Sequence, residues 1–68
     1  MIARSEISRA LDALNLDQRV VVVLRYLEDM SPAHVAETLG IPIGTVDSRT
    51  SRAMAILRNV LEDGELNG

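Results

Sequence analysis

The chain has no cysteine, so a disulfide scaffold and a cysteine-ligated zinc site are both excluded. Its one histidine, His34, is too few for an ordinary histidine-built metal site. Phe and Trp are absent and Tyr26 is the single aromatic, which argues against modules that stack bases on rings. Lysine is missing too, and all seven cationic side chains are arginines. No unbroken apolar run exceeds that of Val20–Leu24, far below the roughly 20 residues that span a bilayer. The first ten residues, MIARSEISRA, mix charge and polarity and do not read as a signal peptide. The expected location is therefore the cytoplasm, with no membrane partner. No nucleophile–base pair, metal-ligand cluster or phosphate loop is legible. The sequence thus predicts no enzyme, no metal, no cofactor and no small-molecule substrate. Glu28 and Asp29 are adjacent in sequence and point apart on a helix, so they are not a catalytic pair.

What remains is one small domain of 68 residues, 47% apolar and 25% charged, which suits a folded globule. A chain this short has room for one core and a stability of only about 3–5 kcal/mol. The net charge of −3 argues mildly against nucleic acid, but its distribution does not. Between Ile43 and Leu61, three arginines (Arg49, Arg52, Arg58) face a single acid, Asp47. A local basic face matters more for binding than the sum over the chain.

Two prolines and four glycines divide the chain, and between them apolar residues recur at three and four. The spacing predicts a first helix over about Ser5 to Leu14, with Ile7, Leu11 and Leu14 as its stripe. It predicts a second over Leu16 to Leu27. Asn15 caps that helix, Gln18 completes a capping box, and Leu16, Val20, Val23 or Leu24, and Leu27 face inward. Four consecutive valines, Val20–Val23, favour a strand locally, but nothing offers a second strand to pair with. Helix is the preferred reading, and a helix apolar on several sides is the central one. The third helix spans about Ser31 to Leu39, capped by Ser31, opened by Pro32 and stopped by Gly40. The fourth spans Ile43 to Asp63, with Val46, Thr50, Ala53, Leu57 and Val60 or Leu61 inside, Gly64 as its end and a frayed tail. The expected class is all-α, a four-helix bundle-like domain.

The segment SPAHVAETLGIPIGTVDSRTSRA carries the functional signal. Ala36, Gly40 and Val46 stand at relative positions 0, +4 and +10. A helix-turn-helix needs a small residue where the helices cross, a residue free of Cβ clash in the turn, and an apolar anchor on the second helix. With Val46, Thr50, Ala53 and Leu57 inside, Ser48, Ser51, Arg52 and Ala55 fall opposite, and Asp47 and Arg49 lie on the flanks. Short hydroxyls and arginines on a protruding helix suit the DNA major groove. Arg19 and Arg25 are expected to pair with Asp17, Glu28 or Asp29, His34 to be solvated, and the methionines to fill gaps. Any of Tyr26 and the helix-two valines left unburied would form an apolar patch for a protein partner.

Two stretches, ALDALNLDQRVVVVLRYLEDMS and VAETLGIPIGTVDSRTSRAMAILR, resemble region 4 of bacterial RNA polymerase sigma factors, in particular the extracytoplasmic-function class. The resemblance runs from about Ala10 to Leu61. It implies one helix-turn-helix domain over residues 1–68 whose last helix reads the promoter −35 element in the major groove. It implies contact with the β-subunit flap of RNA polymerase and often with an anti-sigma factor. It also implies a C-terminal piece of a longer protein whose other domain reads the −10 element. The DNA-facing positions of the family fall on Asp47, Ser48, Arg49, Ser51 and Arg52, with Thr45 near the backbone. The family commonly has Lys or Arg where Asp47 stands, and a large aliphatic where Thr50 stands. The carboxylate repels phosphate but can accept from cytosine N4, and Thr50 loosens packing against the third helix. The turn and GTV segment are also similar to the DNA-binding domain of LuxR-type response regulators, an alternative that predicts a dimer. A further alternative is a module that mainly binds polymerase or an anti-sigma factor.

Overall fold

Local chemistry sets the start of α2 and both ends of α3 in the computed structural model, which describes residues 4–67, with side chains for 6–62. The elements are α1 (Arg4–Asp12), α2 (Leu16–Val22), which continues as one π-helical turn (Val23–Leu27), α3 (Pro32–Leu39) and α4 (Ile43–Asn67). The class is all-α, as the periodicity predicts, and Met1 and Gly68 lie outside the described residues.

The first helix ends at Asp12, two residues short of Leu14. Its end is tightened by three-residue bonding: the Ala13 and Leu14 N–H groups donate to Ala10 and Leu11 at 3.2 and 3.1 Å. Arg19 then reaches back from α2. Its Nε donates to the Leu11 carbonyl at 3.0 Å and its NH2 to the Leu14 carbonyl at 3.1 Å. The orphan carbonyls of a helix end thus gain a cationic donor. This replaces the acid partner expected for Arg19. Arg25 behaves alike, donating to the Met30 carbonyl at 2.6 Å while lying 5.3 Å from the Tyr26 ring centre.

The second helix opens as its sequence dictates. Asn15 Oδ1 accepts from the Gln18 N–H at 2.9 Å, and Gln18 Oε1 accepts from the Asn15 N–H at 3.0 Å. The valine run is helical, and no strand occurs among the described residues. Its inward face differs from the expected stripe. Leu16 and Leu27 are 69% and 65% exposed, while Val21 and Val22 are buried. The reason lies in two separate clusters. Val21 packs with Val35, Ala36 and Val46, flanked by Leu24, Met30, Leu39 and Ile41. Val22 packs with Leu14 and Ala53, flanked by Leu11, Ile56 and Leu57. Adjacent helical residues point about 100° apart, so a helix wedged between two clusters buries neighbours rather than one row.

The π turn ends on two wide bonds, Glu28 N–H to Val23 O and Met30 N–H to Leu24 O, both 3.0 Å. Asp29 between them takes φ +56°, a left-handed conformation that aspartate tolerates better than most residues. Ser31 then caps α3, its Oγ accepting from the His34 N–H at 3.1 Å, and Pro32 fills the first helical position. The His34 side chain is exposed. Gly40 closes α3 at φ +68°, and the N–H groups of Gly40 and Ile41 both donate to the Ala36 carbonyl.

The fourth helix is the common element. Val46 and Ala53, two turns apart, are both fully buried, one in each cluster. Thr50 sits between them half-buried, and its Oγ1 is turned onto the Val46 carbonyl at 2.7 Å. Gly64 does not end α4, which continues to Asn67. Glycine inside a helix costs about 1 kcal/mol relative to alanine, which by itself does not break the ladder, and no proline follows.

Candidate nucleic-acid interface

The segment from Ser31 to Ala53 folds as a short helix, a tight turn and a long helix. Ala36, the small residue at the crossing, is buried beside Val46, the apolar anchor. Gly40 supplies the left-handed turn. Pro42 opens α4, and its carbonyl accepts from the Thr45 and Val46 N–H groups at 3.0 and 3.2 Å. The spacing of 0, +4 and +10 thus produces the contact geometry that a helix-turn-helix requires.

Clamping Val46 and Ala53 inward turns the opposite side of α4 to solvent. Asp47, Ser48, Ser51 and Arg52 are all exposed there, with Ala55 and Arg58 further along. Thr45 and Arg49 sit at the margins, half-buried. Four of the six expected site residues therefore share one open face, and two border it. The middle of that face carries the short serines, and Asp47 and Arg52 flank them about 140° apart around the helix.

Among the described residues Arg49 differs from Arg52 in having an ion-pair partner. Its NH2 lies 3.8 Å from Asp17 Oδ2 at the start of α2, with the two side chains 32% and 68% exposed. This pair joins residues far apart in sequence, and the pattern of charges along α4 gave no hint of it. Asp17 is the site-related residue that the sequence reading missed. A long, solvated, single-contact pair contributes little, about 0–1 kcal/mol.

On another side of the molecule, α1, the end of α2 and the later part of α4 enclose an apolar groove of about 220 Å³. Ile7, Leu11, Tyr26, Leu27, Leu57 and Leu61 line it, and none of them belongs to the polar face of α4. Tyr26 contributes to an apolar surface, as its partial exposure allows, but its main companions there are leucines rather than the valines. Among the described residues no three His, Cys, Asp or Glu side chains gather as a metal site, and no helix is long and apolar enough to cross a membrane.

Residues 4–57 match the family described as sigma-70, region 4. The chain is 44% identical over 64 residues to an RNA polymerase sigma-E factor of Streptomyces antibioticus, covering 94% of this chain and 36% of that protein. It is 50% identical over 50 residues to an RNA polymerase sigma-E factor of Streptomyces avermitilis, covering 74% of this chain and 28% of that protein. The ECF RNA polymerase sigma factor SigW of Bacillus subtilis is 42% identical over 45 residues, covering 66% of this chain and 24% of that protein. The chain spans between about a quarter and about a third of the length of these curated relatives. The match favours the sigma reading over the LuxR-type one. A helix-turn-helix with this packing, matched over this length, belongs to the sigma-70 region 4 family, in its extracytoplasmic-function branch.

Proposed function

We propose that this domain recognises the promoter −35 element for an alternative sigma factor and so directs RNA polymerase to its start sites in the cytoplasm. The observation that carries the reading is the exposed polar face of α4 opposite the buried Val46 and Ala53. An α-helix with its side chains is about 10–12 Å across, which matches a major groove about 12 Å wide. In this reading Ser48, Ser51 and Arg52 reach base edges or phosphates. Thr45 approaches the backbone, Arg49 a phosphate, and Asp47 lies over the bases. Arg52 is the anchor, because its guanidinium can fork onto guanine O6 and N7. The role needs no bond-making chemistry, and the family consists of transcription initiation factors rather than enzymes.

The test is a fluorescence-anisotropy titration of this chain against −35 duplexes and scrambled controls. About three phosphate contacts give a slope of about −3 for log K against log salt. Equal affinity for both duplexes at low salt would rule the reading out.

A second reading rests on the apolar groove lined by Leu27, Leu57 and Leu61. The groove suits the β-subunit flap of RNA polymerase or an anti-sigma factor, and it leaves the polar face of α4 free. Under this reading Leu27→Glu abolishes capture of core polymerase while Arg52→Ala does not. If both variants retain capture, the groove is not the docking site.

A further inference from the structure

We propose that Asp47 is a base-reading residue that selects cytosine in the DNA contacted by α4. The inference rests on α4 being the DNA-reading helix, as proposed above, and adds a sequence rule specific to this chain.

Asp47 is exposed, and among the described residues its carboxylate enters no ion pair or hydrogen bond. The usual structural reasons for an aspartate near a helix start do not apply. It is the fifth residue of α4, and the Thr45 and Val46 N–H groups ahead of it are already taken by the Pro42 carbonyl. The benefit from the helix dipole fades beyond the first turn. No arginine neutralises it along the helix. Arg49 is two residues on, a spacing at which helical side chains do not face each other, and it is engaged with Asp17 at 3.8 Å. The positions that do neighbour Asp47 hold Ile43, Gly44, Thr50 and Ser51. An unpaired carboxylate thus stands on the flank of the reading face.

An ionised carboxylate can only accept hydrogen bonds. Phosphates repel it. In the major groove guanine presents N7 and O6, both acceptors, and thymine presents O4 and a methyl group. Adenine offers its N6 donor next to the N7 acceptor. Cytosine N4 is the one donor without an adjoining acceptor on the same base, so it fits a lone carboxylate best. Ser48 and Ser51 are short enough to let the helix sit close to the bases. The chain then asks for cytosine under Asp47 and guanine under Arg52, on opposite flanks of one helix.

The experiment selects bound duplexes from a DNA library randomised across its central base pairs, at low salt. It uses this chain and its Asp47→Ala, Asp47→Asn and Arg52→Ala variants, each checked for helicity by circular dichroism. The wild type is expected to enrich cytosine about tenfold at one position. Asp47→Ala flattens that position alone. Asp47→Asn moves it to adenine, whose N6 and N7 suit an amide. Arg52→Ala flattens a different, guanine position. A cytosine preference that survives Asp47→Ala overturns the proposal. So does an Asp47→Ala variant that binds every sequence more tightly with an unchanged motif, because Asp47 then only repels phosphate. A wild-type motif sensitive to Arg52 but not to Asp47 leaves the DNA-reading helix standing and sinks this assignment alone. Absence of any enriched motif removes both.

Discussion

Replacing Asp17 by asparagine separates what Arg49 does for the fold from the DNA contact proposed for it. The charges sit 3.8 Å apart, and Asp17 is largely solvated. At about 4 Å the bare attraction is about 1 kcal/mol in water and about 4 kcal/mol at an effective dielectric of 20. Exposed pairs recover only about 0.2–1 kcal/mol of this after screening and side-chain ordering. Asp17→Asn should therefore lower Tm by no more than about 8 °C in a domain of this size. A phosphate that recruits Arg49 must first break the pair. Removing Asp17 should thus raise DNA affinity by up to about fivefold, the same energy read as a ratio. The salt slope should stay at about −3, because Arg49 neutralises the same phosphate in both forms. A thermal melt by circular dichroism and anisotropy titrations at several salt concentrations measure both effects. The double variant Asp17→Asn with Arg49→Gln should lose the gain. If Asp17→Asn weakens DNA binding instead, the pair is a brace that aims Arg49, and the competition argument is wrong.

Other outcomes follow from single contacts. Val46→Ala removes a fully buried anchor between α3 and α4 and should cost about 2 kcal/mol, read as a lower urea midpoint with an unchanged slope. Gly40→Ala should cost about 1 kcal/mol although no atom lies within 4 Å of the added Cβ, because φ is +68°. Gly40→Asn should cost less, since asparagine tolerates that conformation better. Arg52→Ala should reduce discrimination between specific and scrambled duplexes by about 5- to 150-fold while leaving the melt unchanged. Leu27→Glu, at a largely exposed position, should keep the fold by circular dichroism yet lose binding to core polymerase in a pull-down.

The start of α2 and both ends of α3 were readable because they depend on neighbours in sequence, whereas the expected stops at Leu14 and Gly64 were not met. Asn15 with Gln18, Ser31 with Pro32, and Gly40 each act within a few residues. The helix-turn-helix was readable for a similar reason: Ala36, Gly40 and Val46 lie within one supersecondary unit. The buried register of α2 was not. A helical wheel assumes one apolar direction, and Val21 and Val22 answer to two clusters. The π turn at Val23–Leu27 has no sequence signature that periodicity detects. Arg19 and Arg25 looked like surface ion-pair partners, but free carbonyls at the end of α1 and in the connection before α3 compete for guanidinium groups and carry no mark in the sequence. The serines and Arg52 of the candidate site follow from the stripe that α4 buries. The engagement of Arg49 with Asp17 needs the tertiary approach of α2 to α4.

The unbroken course of α4 has a metric consequence. Fourteen residues separate Asp47 on the polar face from Leu61 in the apolar groove, and a helical rise of 1.5 Å each makes about 21 Å. That distance is fixed by backbone hydrogen bonds rather than by a hinge or a loop. Whatever seats itself at Leu61 is thereby held at a set offset of about 21 Å from whatever touches Asp47. The rod behaves as a ruler, so inserting or deleting residues between its two ends would change both the distance and the rotation between whatever binds there.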